Sequence, residues 1–119
     1  MAKIMVVDDT AFMRIMMRTM LEECGYEVVG EAKNGKEAVD EYAKLKPDLV
    51  TMDITMPEMN GVEALRLIRQ MDPTAKVIIC SAMGQRDMVL DAISSGARDF
   101  VVKPFQKDRI QEAVAKVLS

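Results

Sequence analysis

The chain has 119 residues, enough for one domain whose core needs no disulfide or structural metal. Half of the residues are hydrophobic, 29% are charged and the formal net charge is −3, which argues against both a nucleic-acid surface and an acidic tail. There is no histidine, which removes Ser-His-Asp and Cys-His catalysis, histidine-ligated metals and a phosphohistidine on this chain.

The first apolar run, Ile4–Val7, ends in Asp8-Asp9. Phe12, Ile15, Met16 and Met20 then follow helical spacing, with Arg14, Arg18 and Glu22 as a polar stripe and Gly25 as the stop. The second run, Val28–Glu31, contains Gly30 and is bracketed by Glu27 and Glu31, the mark of a sheet edge. Asn34 with Glu37 opens a second helix at capping-box spacing, and Pro47 closes it. Leu49–Met52 is a third strand, leading into Asp53. Asn60 with Glu63 opens the next helix and Pro73 ends it.

Val77–Cys80 is a fourth strand, followed by Ser81. Met88, Val89, Ala92 and Ile93 form a helix closed by Gly96. Phe100–Val102 is the fifth strand and runs into Lys103-Pro104, and Ile110, Ala113, Val114, Val117 and Leu118 give a final amphipathic helix. Nearly unbroken apolar strands alternating with helices predict a three-layer, doubly wound α/β fold with a parallel five-stranded sheet, as one domain over residues 1–119. No stretch resembles a signal peptide or reaches membrane-spanning length, so a cytoplasmic protein is the expectation. Cys24 and Cys80 are read as reduced cysteines, one near a helix end and one in a buried strand. The 12 methionines are read mainly as core packing, with Met56 and Met59 around Pro57 as candidates for exposure.

Sites in such folds lie beyond the C-terminal strand ends. Asp8 and Asp9, Asp53, Ser81 and Lys103 all fall there. Taken singly, each aspartate could cap a helix, Ser81 could belong to a turn and Lys103 could be an ordinary surface lysine. Together, three carboxylates on one rim repel unless a cation intervenes, and Mg²⁺ suits a site of few carboxylates, a backbone carbonyl and waters. Asp53 is the best nucleophile candidate, because a carboxylate can form an acyl phosphate. Lys103 would supply a point charge and Ser81 a hydroxyl donor to the transferred oxygens.

The motifs VVDD at Val6–Asp9, PDLVTMDITMPEMNG at Pro47–Gly61, CSAMG at Cys80–Gly84 and GARDFVVKPF at Gly96–Phe105 run from end to end of the chain. In this order and combination they resemble response-regulator receiver domains, above all the single-domain members that serve chemotaxis. The resemblance implies a flavodoxin-like fold with strand order 2-1-3-4-5. It implies that Asp53 is the phosphoacceptor, that Asp9 binds Mg²⁺ directly and Asp8 through water, and that the backbone carbonyl of Thr55 completes the protein ligands. Lys103 would contact the phosphoryl group, with a cis Lys103–Pro104 bond holding it in place. Ser81 would swing toward the phosphoryl group and Phe100 would follow inward as the switch aromatic. Thr55 and Met83 would tune hydrolysis, and Phe100, lacking a phenol, would switch by packing.

The implied partners are a sensor histidine kinase as phosphoryl donor, a flagellar motor switch protein as target and a phosphatase as a further candidate. A monomer is the expected state. The chain would not be a conventional enzyme, although it would catalyse its own phosphorylation and dephosphorylation. The expected output surface combines the helix near Arg86–Ser95, the last strand and the helix near Lys107–Leu118, because Ser81 leads into the first and Phe100 lies on the second. Other readings stay open. A non-chemotaxis phosphorelay and a phosphorylation-independent binding module fit the same fold. A flavin module would want a glycine- and hydroxyl-rich loop where Asp8-Asp9-Thr10 stands, and an aspartyl-phosphate phosphatase would place its nucleophile after the first strand.

Overall fold

The computed structural model describes residues 1–119. Its elements alternate strictly: β1 (Lys3–Val7), α1 (Ala11–Glu23), β2 (Glu27–Ala32), α2 (Gly35–Leu45), β3 (Leu49–Asp53), α3 (Gly61–Met71), β4 (Val77–Ser81), α4 (Arg86–Ser94), β5 (Asp99–Val102) and α5 (Lys107–Leu118). The five strands are all parallel and lie in the order β2-β1-β3-β4-β5. This is the flavodoxin-like arrangement expected, and β2 is an edge strand as its glycine and glutamates suggested.

Two apolar layers cover the sheet, because alternate residues of each strand point to opposite faces. On one face Met5, Val7, Val50, Met52, Val77 and Ile79 meet Ala38 and Tyr42 of α2, Leu65 and Ile68 of α3, and Val89 and Ala92 of α4. On the other face Ile4, Val6, Leu49, Ile78, Cys80 and Val101 meet Met17 and Leu21 of α1 and Ile110, Val114 and Val117 of α5. With both faces buried, β1, β3 and β4 read as unbroken apolar runs.

Helix α1 corrects one sequence reading. The spacing of Phe12, Ile15, Met16 and Met20 placed its buried face there, but Phe12 is 66% exposed and Ile15 60%. Met17 and Leu21 are the residues buried, with Met13 and Met20 packed partly against them. Eight of the 13 residues of α1 are apolar and they spread over more than one stripe, so periodicity alone could not choose among them. β5 also differs: it is the second edge, and Phe100 and Val102 are 39% and 40% exposed. Met56 is buried and Met59 packs against the core, contrary to the exposure considered for both. Cys24 and Cys80 are free, and Cys80 is buried.

The helix starts follow the local signals. Asn34 accepts from the Glu37 N–H, and Asn60 and Glu63 form a complete capping box. Lys46 closes α2 in the left-handed region just before Pro47. No helix is long and apolar enough to cross a membrane.

Candidate functional site

The strand exits of β1, β3, β4 and β5 build one pocket. β3 is the central strand, so Asp53 at its end stands between Asp8 and Asp9 beyond β1 and Ser81 at the end of β4. Ligand oxygens of Asp8, Asp9 and Asp53 all lie within 4.8 Å of one another. Asp8 and Asp53 are buried, at 4% exposure each, and Asp9 is exposed.

Local contacts hold Asp8 and the backbone at Asp53. The Thr10 N–H donates to Asp8 Oδ1 at 2.9 Å, and the Arg14 guanidinium donates to the Asp8 carbonyl at 2.7 Å while pairing with Glu31 at 3.0 Å. Behind Asp53 the chain turns into α3 with no spare room. A side chain on Gly61 would place its Cβ 2.1 Å from the Asp53 carbonyl oxygen, so only glycine permits this approach. The Gly61 N–H also donates to the Ile54 carbonyl at 2.7 Å, tying the loop to the strand end.

Lys103 supplies the counter-charge. It follows β5, its peptide bond to Pro104 is cis, and its Nζ sits 3.0 Å from Asp8 Oδ2 and 3.2 Å from Asp53 Oδ1. Burial and then the charge of Asp8 push the Asp53 carboxyl up to about 6, even though Lys103 pulls the other way. Burial alone would lower the Lys103 ammonium, but its hydrogen bond to Asp8 and the charges of Asp53 and Asp8 outweigh that and raise it. One ammonium therefore faces two buried carboxylates and a third exposed one, a negative excess in a partly desolvated place.

This donor set fits a hard divalent cation. Carboxylate oxygens suit Mg²⁺, which takes one or two of them and keeps waters, and exposed Asp9 leaves room for those waters. Thr55 is exposed at the rim, two residues past Asp53.

The structure thus brings only part of the sequence-predicted set together. Asp8, Asp9, Asp53 and Lys103 share the site, Ser81 ends the neighbouring strand and lines the groove beside α4, and Thr55 is exposed two residues past Asp53. Met83 is 82% exposed beyond the β4 exit, and Phe100 sits on the outer face of β5, in a groove it shares with Met83, Val89, Leu90, Ile93 and Val102. Burial pushes the Cys80 thiol up, out of reach of thiolate chemistry.

Two side chains at the pocket were not singled out from sequence. Arg14 looked like part of a solvated stripe, yet it braces the Asp8 backbone. Gln85 joins the loops after β3 and β4, accepting from the Ala82 N–H and donating to Thr55. Neither has a periodicity or spacing signal, because each contact depends on how loops converge.

Comparison with known proteins agrees with this architecture. The family model for the response regulator receiver domain matches residues 4–115. The chain is 59% identical over 115 residues to the chemotaxis protein CheY of Thermotoga maritima, covering 97% of this chain and 96% of that one. It is 58% identical over 117 residues to CheY of Bacillus subtilis, covering 98% of each. Among solved structures it is similar to the crystal structure of the CheX–CheY–BeF3–Mg²⁺ complex from Borrelia burgdorferi, with a TM-score of 0.94 at 33% identity over 99% of this chain and 90% of that one. A carboxylate pocket at the exits of a 2-1-3-4-5 sheet and a family match across nearly the whole length lead to one assignment: the chain belongs to the response-regulator receiver domains, as a CheY-like member of two-component signalling.

Proposed function

We propose that this receiver takes a phosphoryl group onto Asp53 from a phosphorylated histidine of a sensor kinase and thereby changes its affinity for a chemotaxis partner. The observation that carries the reading is the Lys103 ammonium held between Asp8 and Asp53 in a pocket of three carboxylates. A carboxylate oxygen of Asp53 attacks phosphorus in line, the phosphorus–nitrogen bond of the donor breaks, and the imidazole leaves with that electron pair. Lys103 stays within reach of the transferred oxygens and offsets their charge. Asp8, Asp9, Asp53 and the Thr55 carbonyl are the residues that would hold Mg²⁺, which when bound neutralises charge on the phosphoryl oxygens.

Ionised Asp53 is needed for attack, and its position near 6 leaves it mostly ionised at neutral pH. Hydrolysis then returns the site to its starting state by attack of water on phosphorus. Thr55 and Met83, both exposed, are the side chains that would border the approach of that water and set its rate. The chain is a switch that catalyses its own phosphorylation from a donor and its own dephosphorylation.

Ser81 and Phe100 would carry the signal outward. Ser81 lies buried beside the pocket and leads into the loop before α4, and Phe100 lies half-exposed in the apolar groove between α4 and β5. An inward shift of Ser81 would open space that Phe100 could fill, remodelling that groove. The flagellar motor switch protein is the proposed reader. The Borrelia CheY is solved in complex with CheX, which supports a second partner of that kind for this chain.

Label transfer tests the proposal. A sensor kinase labelled on its histidine should pass label to the wild-type chain in the presence of Mg²⁺, and the labelled product should be alkali-labile, as an acyl phosphate is. Transfer to Asp53→Asn at the wild-type rate would overturn the assignment of the phosphoacceptor.

A further inference from the structure

Gln85 spans the mouth of the pocket. Its Oε1 accepts from the Ala82 N–H at 2.7 Å, and its Nε2 donates to Thr55 Oγ1 at 2.6 Å. Ala82 is the first residue past β4, directly after Ser81, and Thr55 stands two residues past Asp53. One carboxamide therefore ties the exit loop of β3 to the exit loop of β4. Gly84, at φ +86°, gives the tight turn that brings Gln85 back toward Ala82.

The same residue begins α4. Gln85 is the N-cap position of that helix, yet its side chain caps no helical N–H, because both ends of its carboxamide are committed to the loops. Whatever moves Gln85 thus moves the start of the helix that lines the apolar groove beside Phe100.

A phosphoryl group on Asp53 would present three strong acceptor oxygens. Lys103 lies on one side of Asp53, toward Asp8. On the β4 side, Ser81 ends the strand that neighbours β3 and Ala82 follows it, so a hydroxyl and a backbone N–H stand at that exit, and the N–H is already engaged by Gln85. An anionic oxygen is a stronger acceptor than a neutral carboxamide, so it wins that donor when it arrives.

We propose that Gln85 is a positioning residue: a clasp that holds the unphosphorylated site shut by occupying the Ala82 N–H and the Thr55 hydroxyl, and that lets go when a phosphoryl group claims that N–H, freeing the start of α4. The inference rests on the reading of Asp53 as phosphoacceptor. It differs from a simple structural role, which would require the Gln85 contacts to persist in both states.

Titration with beryllium fluoride in Mg²⁺, a non-transferable stand-in for the phosphoryl group, tests the clasp. Wild type, Gln85→Leu, Thr55→Val and the double variant are compared, with the Ala82 amide resonance followed throughout. Gln85→Leu should bind about threefold to tenfold more tightly than wild type, the worth of one net hydrogen bond no longer competing. Thr55→Val loosens the same clasp from its other end, so it should also tighten binding and should add nothing in the Gln85→Leu background. The free Gln85→Leu protein should show the Ala82 resonance displaced, and saturation should bring it to the wild-type bound position. Equal or weaker binding by Gln85→Leu, or full additivity of the two substitutions, would overturn the clasp. Failure of wild type itself to bind the mimic would instead overturn the phosphoacceptor reading, and is visible before any variant is compared.

Discussion

Asp53→Asn should make the metal-free fold more stable, and the gain should depend on pH. Asp53 is buried at 4% exposure and its carboxyl sits at about 6 instead of 3.8, chiefly through burial and the charge of Asp8. The unfolded chain therefore loses this proton near pH 4 and the folded chain near pH 6. Between those values the folded state holds more protons, so stability falls as pH rises, and above the folded value the full cost is present. A shift of about two units at 1.36 kcal/mol each is worth at most about 3 kcal/mol, and relaxation around the pocket would bring it to about 2 kcal/mol. Asparagine has nearly the same shape and no charge to strand. Urea unfolding in chelator should then show Asp53→Asn level with wild type near pH 4 and more stable by about 2 kcal/mol at pH 7.5. Mg²⁺ should shrink the gap, because it stabilises only the folded state that holds it. A gap of the same size at both pH values, or none at pH 7.5, would refute the electrostatic account of the pocket.

Three further outcomes follow from the same contacts. Lys103→Met removes the one ammonium between Asp8 and Asp53 and should slow phosphorylation of Asp53 by about a hundredfold, read as the rate of adduct formation. Tyr42 donates to Asp72 at 2.8 Å and is raised by burial, then by that bond and the Asp72 charge, so its contribution to stability is full below pH 10 and fades above it. Tyr42→Phe should lack that alkaline loss, measured by thermal unfolding from pH 8 to 11. Phe100→Ala should still be phosphorylated but should bind its partner equally with and without the phosphoryl group; a variant that keeps both reactions would remove Phe100 from the signal route.

Much of the fold could be read from the order of its segments. β1, β3 and β4 are apolar throughout because helices cover both their faces, and β2 declared itself an edge through Gly30 and its flanking glutamates. The face of α1 was misjudged because Phe12, Met13, Ile15, Met16, Met17 and Met20 spread over more than one stripe beside the polar Arg14, Arg18 and Glu22. The site was legible as a set of strand ends: Asp8, Asp9, Asp53 and Lys103 converge because a parallel sheet opens every exit on one rim. What pattern could not supply is how the loops close over it. Arg14 bracing Asp8 and Gln85 spanning Ala82 and Thr55 depend on loop paths that no spacing encodes. The outward position of Phe100 likewise follows from β5 being an edge, a property of sheet order and not of its own apolar run.

The central claim is that Asp53 is a phosphoacceptor served by a divalent cation. It is tested most directly by intact mass of the chain after incubation with acetyl phosphate, with and without Mg²⁺, beside Asp53→Asn, with released phosphate followed in the same tubes. The account predicts a single added phosphoryl group, or steady phosphate release where turnover is fast, that requires both Mg²⁺ and Asp53. Neither adduct nor Asp53-dependent phosphate release would contradict it and would make the chain a receiver that binds partners without phosphorylation.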